Sequence, residues 1–145
     1  MILHKAMKKL LVIRCIADHS RGYGHFSRCV SIAKYFSKKN YNVIFLINDN
    51  VLMKHELSKF NLNFFVLPKF NTLSSEGKFL KKIILENNAS CFIIDMKEFS
   101  EKLSKEIKDC TCLTVVIDDS SVDNVYSDIL LNGNPIRKYH KYKIF

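Results

Sequence analysis

Residues 10–36 constrain the fold more than any other stretch. They read as a buried strand, a loop with two glycines and an amphipathic helix. Leu10, Leu11, Val12 and Ile13 form an apolar run that continues past Arg14 into Cys15, Ile16 and Ala17. A near-continuous run of that length suits an interior strand of a parallel sheet. Residues 18–24 are then the turn. Gly22 and Gly24 are two of only four glycines in the chain. They allow backbone angles that other residues avoid, and they clear space above the strand end. His25 follows in the first turn of the helix. Phe26, Cys29, Ile32 or Ala33, and Phe36 recur at helical spacing, so that face is expected to pack on the sheet.

This arrangement has a chemical consequence. In an open α/β sheet, ligands bind beyond the carboxyl ends of the strands, where helix N-termini point. Free N–H groups there attract anions. An imidazole in that first turn is placed to act as a general base. The same residues equally serve a tight turn, with His25 helping to cap the helix. The full dinucleotide fingerprint is absent, because its third glycine position holds Ser27. No second strand ends in an acid of the expected type, although Asp49 lies just past strand two. A nicotinamide cofactor is not expected, and neither is any other cofactor.

The alternation continues down the chain. Residues 43–47 read as a second strand. Asn48, Asp49 and Asn50 would cap a helix that carries Met53, Leu57 and Phe60 on one face. Residues 62–67 are a third strand, stopped by Pro68. Residues 69–75 are either a surface connection or a segment at the ligand mouth. A helix is expected from Ser75 and Glu76, with Phe79, Leu80, Ile83 and Ile84 facing inward. Residues 91–94 are the fourth strand, with Asp95 at its carboxyl end. That carboxylate points at the same crevice as His25, or else caps the next helix. Phe99, Leu103 and Ile107 mark helix four, and 113–117 is the fifth strand. Asp118 and Asp119 follow it. Paired acids serve metal binding or acid/base work, but they also cap and turn; without further clustered ligands the structural role is favoured. Residues 128–132 give a short last strand. The expected fold is α/β: a Rossmann-like open parallel sheet with helices on both faces and right-handed connections.

Three segments resemble one sugar-nucleotide family. The first is Ile13 to Asp18, then Gly22-Tyr23-Gly24-His25, then Arg28-Cys29 and Ala33. The second is Asp118-Asp119 after a hydrophobic strand. The third is Ser127-Asp128-Ile129-Leu130-Leu131-Asn132. Together they resemble the UDP-2,4-diacetamido-2,4,6-trideoxy-β-L-altropyranose hydrolases of pseudaminic acid synthesis and related spore-coat polysaccharide proteins. One departure is Lys97, where the family has Tyr two residues after the acid at Asp95. The resemblance implies the two-domain GT-B architecture, with this chain as its N-terminal half. It divides the chain into a loose start at 1–9, a Rossmann-like domain at 10–135 and a basic tail at 136–145. A linker to a C-terminal nucleotide-binding domain, fused or separate, would begin in that tail. The implied reaction is hydrolysis at the anomeric carbon of a UDP-linked amino sugar, without a metal. The resemblance makes His25 the base and Gly22, Tyr23 and Gly24 the wall beside it. Asp18 would position His25 or substrate hydroxyls, Arg28 would hold the helix start or an anion, and Asp95 is a further candidate. A glycosyltransferase relative, needing a separate nucleotide-binding partner, is the alternative.

Composition narrows the classes. The chain has 145 residues, 48% of them hydrophobic, enough for one domain with a real core. The net charge of +9 is scattered in short pairs such as Lys8-Lys9, Lys38-Lys39 and Lys81-Lys82. Solvated helix faces account for it, and no aromatic-interleaved basic motif points to nucleic acid. No stretch approaches the ~20 apolar residues of a membrane span. The five cysteines are odd in number, and Cys110 and Cys112 lack a zinc-binding spacing. A reducing compartment, the bacterial cytoplasm, is expected.

Overall fold

A computed structural model describes residues 8–18, 20, 22–96, 101–119, 124–133, 135 and 143–144. Most of the expected loose start, Lys97, Phe99 and most of the tail lie outside the described residues. The strands are β1 (Leu10–Cys15), β2 (Asn42–Ile47), β3 (Asn63–Val66), β4 (Cys91–Asp95), β5 (Leu113–Ile117), β6 (Asn124–Val125), β7 (Ile129–Leu131) and β8 (Lys143–Ile144). The helices are α1 (Gly24–Lys38), α2 (Val51–Lys59), α3 (Leu73–Glu86) and α4 (Glu101–Ile107).

Six strands form one parallel sheet in the order β3-β2-β1-β4-β5-β7. β1 lies between β2 and β4, buried along almost its whole length. Side chains alternate across the sheet, so its two faces build two cores. Leu11, Ile13 and Cys15 pack with Phe26, Cys29 and Ala33 of α1 and with Met53 and Leu57 of α2. Val12 and Ile16 face the other way, toward Leu80 and Ile84 of α3 and Leu103 and Ile107 of α4. The result is the expected α/β, Rossmann-like architecture, with helices on both faces.

Caps and turns set the helix limits. The Asn50 side chain accepts a hydrogen bond from Met53 N at 2.9 Å and starts α2. Asn40, Asn61 and Asn88 take positive φ just past the ends of α1, α2 and α3, a conformation asparagine tolerates. Two expectations need correction. α3 begins at Leu73, because Thr72 rather than Ser75 caps it; Ser75 is the third residue of a reciprocal capping box. Phe60 leaves the inward face of α2, because the helix ends at Lys59; its ring lies 3.2 Å below the Lys34 ammonium. Arg14 sits buried within β1, and the strand continues past it to Cys15. Within the tail, Lys143–Ile144 pairs in parallel with Asn124–Val125.

Candidate active site at the carboxyl end of the sheet

The strand order reverses between β1 and β4, which makes their carboxyl ends the crevice of the fold. Cys15 and Asp95 are direct partners across that pair. Between β1 and α1 the chain closes a short loop, with Gly22 N donating to Asp18 O at 2.8 Å. The Asp18 carboxylate holds the same loop by accepting from Ser20 N at 2.9 Å and Ser20 Oγ at 2.6 Å. Gly22 has φ +76°, the left-handed region that requires glycine here. Gly24 is an ordinary helical residue, contrary to expectation, yet a Cβ on either glycine would meet open space. Among the described residues no side chain caps this end of α1, whose N-cap residue is Tyr23. The expected capping role therefore does not fall to His25.

His25 and Arg28 stand one helical turn apart, on the face that overlooks Asp95. His25 Nδ1 lies 2.6 Å from Asp95 Oδ1. Arg28 donates to both oxygens of the same carboxylate, from Nε to Oδ2 and from Nη2 to Oδ1, each at 2.7 Å. Cys29 Sγ approaches Oδ2 at 3.6 Å. Asp95 is completely buried, whereas the His25 side chain keeps 17% of its surface exposed. A carboxylate only accepts hydrogen bonds, so the shared proton belongs on Nδ1. In that tautomer of the neutral ring the lone pair is on Nε2, away from Asp95. The 3.2 Å approach of Arg28 Nη2 to His25 Nδ1 arises because both donors converge on Oδ1.

Asp119, just past β5, completes the group. Arg28 Nη1 and Nη2 each reach Asp119 Oδ2 at 3.2 Å. The Asp95 hydrogen bonds raise the Arg28 pKa against the opposing effect of burial, and Asp119 adds to the rise. Cys29 remains a thiol: the neighbouring Cys15 and then burial push its pKa well up, so it is no thiolate nucleophile. The other acid after β5, Asp118, is buried, and its backbone N donates to Leu131 O at 3.0 Å. Asp128, exposed on the surface, accepts from Thr114 N and Oγ1, each at 2.7 Å. Among the described residues no group of His, Cys, Asp or Glu is arranged to hold a metal ion. No helix of the described residues is long and apolar enough to cross a membrane.

Sequence reasoning placed His25 and Asp95 at one crevice but gave Arg28 to the helix start or an anion, and so missed its ties to Asp95 and Asp119. The signal available was position: Asp95 and Asp119 both end or follow strands on the carboxyl side.

No protein-family model matches the sequence, and no curated protein matches it either. Among solved structures the chain is similar to a crystal structure of MurG from Acinetobacter baumannii, at a TM-score of 0.61. The fold resembles one Rossmann-like domain of that GT-B enzyme. The superposition covers 88% of this chain and 42% of that one, with 9% identity. At that identity the likeness is one of fold. This chain spans less than half of the MurG chain that it matches.

Proposed function

We propose that this chain is the catalytic-side half of a GT-B-type enzyme acting on a nucleotide-linked sugar. His25 is its general base. The observation that carries the reading is the 2.6 Å contact between His25 Nδ1 and the buried Asp95, which leaves Nε2 as acceptor at the crevice. The motif resemblance makes the reaction a hydrolysis. Nε2 takes a proton from water, the water oxygen bonds to the anomeric carbon, and the anomeric C–O bond breaks to release UDP. The uncapped N-terminus of α1 offers N–H groups to a nearby diphosphate oxygen. Arg28 is a positioning residue: it fixes Asp95, which fixes the imidazole.

The test uses UDP-2,4-diacetamido-2,4,6-trideoxyaltropyranose and a nucleotide-binding half supplied in trans. In ¹⁸O water, hydrolysis places the label on the free sugar and none on UDP. His25→Asn should lower UDP release by ~100-fold or more with UDP binding unchanged, the ordinary contribution of a general base. Turnover within about twofold of the parent would sink the assignment. The GT-B-like fold also favours the transferase reading, in which Nε2 deprotonates a sugar hydroxyl. UDP release that requires an added acceptor sugar would select that reading over hydrolysis.

A further inference from the structure

A second polar site lies on the opposite face of β1. Val12, Arg14 and Ile16 point toward α3, whereas Cys15 points toward α1. Arg14 is 1% exposed and Glu76 7%. Arg14 Nε donates to Glu76 Oε1 at 2.7 Å. Nη1 donates to Cys15 O at 3.0 Å and Leu46 O at 3.2 Å. A guanidinium has five N–H donors. Those on Nη2 find no acceptor among the described residues, and Glu76 Oε2 finds no donor. Buried polar atoms are normally satisfied, so a donor and an acceptor left open side by side ask for an explanation.

The explanation is next to them. Arg14 and Glu76 line a cleft of about 440 Å³, open at the carboxyl edge of the sheet. That volume lies within the range of small-ligand sites. Ile16, Met96 and Phe70 form apolar walls, and Phe70 is braced by Phe79 at 5.3 Å between ring centres. Asp49 and Lys69 stand at the rim, so charges of both signs cancel there as they do at the floor.

From this geometry we infer a binding site for a neutral, hydroxyl-bearing ring. Arg14 Nη2 donates to one ligand oxygen, and Glu76 Oε2 accepts from a neighbouring hydroxyl. A vicinal diol supplies that pair, while its carbon face rests on Phe70 and Met96. A phosphate or carboxylate would satisfy Arg14 but would meet Glu76 as a like charge. The inference stands without the general-base role of His25.

The test is NMR titration of the whole chain with glucose, with N-acetylglucosamine and with inorganic phosphate, each to tens of millimolar. The probes lack UDP, and the reporters are the Arg14 Nε–H and the amides of Leu67 and residues 69–73. At least one ring should shift these signals saturably, and phosphate should leave them in place. Phe70→Trp fills the cleft without touching the ion pair, and it should weaken that response about tenfold or more. Glu76→Gln should abolish it. Silence toward both rings overturns the inference. So does saturation by phosphate, or a response that survives Phe70→Trp.

Discussion

Arg28 grips Asp95 through two parallel hydrogen bonds of 2.7 Å, and His25 reaches the same carboxylate from one helical turn away. The fork makes Asp95 a fixed point rather than a mobile acid. Its burial is tolerable only because every approach is from a donor. Asp95→Asn keeps the shape and removes the charge. Unfolding by urea should show a loss of about 2–3 kcal/mol, below the full cost of breaking a buried pair because Arg28 is one-third exposed. A loss under about 0.5 kcal/mol would mean that the pair contributes no more than an exposed one.

The two loop glycines should separate. Gly22→Ala forces a Cβ into the left-handed region at φ +76° and should cost about 1–2 kcal/mol. Gly24→Ala places a better helix former in open space and should leave stability unchanged or raise it by up to about 1 kcal/mol. Thermal melts of the two variants check this; equal losses would mean that the loop conformation is misassigned.

The Arg14–Glu76 pair should be dispensable for stability but not singly. Arg14→Met alone strands a buried carboxylate and should cost about 3–5 kcal/mol. The double variant Arg14→Met, Glu76→Leu should return to within about 1 kcal/mol of the parent. Denaturant midpoints of the parent, the double variant and both single variants, Arg14→Met and Glu76→Leu, give the coupling directly. A double variant no better than the single would show that the pair itself holds α3 on the sheet.

Asp128 gives a pH signature. The Thr114 amide, then its hydroxyl, hold the Asp128 carboxyl below the usual carboxylate range. The unfolded chain restores a value of about 3.9, so it takes up the proton first as pH falls. The stabilisation is therefore complete above about pH 5 and is lost as pH falls through the depressed folded value. Asp128→Asn should flatten the acid limb of the stability curve. At neutral pH it should cost no more than about 1 kcal/mol, since the group is largely exposed. An unchanged acid limb would exclude the Thr114 hydrogen bonds as its source.

Much of the fold was legible because apolar runs of strand length alternate with helical stripes. Residues 113–117 were read with the observed limits of β5, and Asp95 with its place at the end of a strand. The start of α3 was misread because Thr72 and Ser75 are both capping residue types, and only geometry says which is the cap. A signal for Glu76 was present: it lies on one helical stripe with Leu80 and Ile84, four and eight residues on. A charge on a buried stripe and Arg14 in a buried strand each demand a partner. Which strands are neighbours was not legible. Nothing in β1 names β4, and the meeting of His25 with Asp95 depends on that pairing.

The strand order also has a consequence in time. On a chain growing from its amino end, β1, α1 and β2 emerge together and can pair at once. His25 then waits 70 residues for Asp95. The crevice is therefore finished only when β4 slides in beside β1, on the edge that β2 leaves open. Until then Arg28 and His25 have no Asp95 to meet. Closure of that gap records whether the nascent chain has completed its centre.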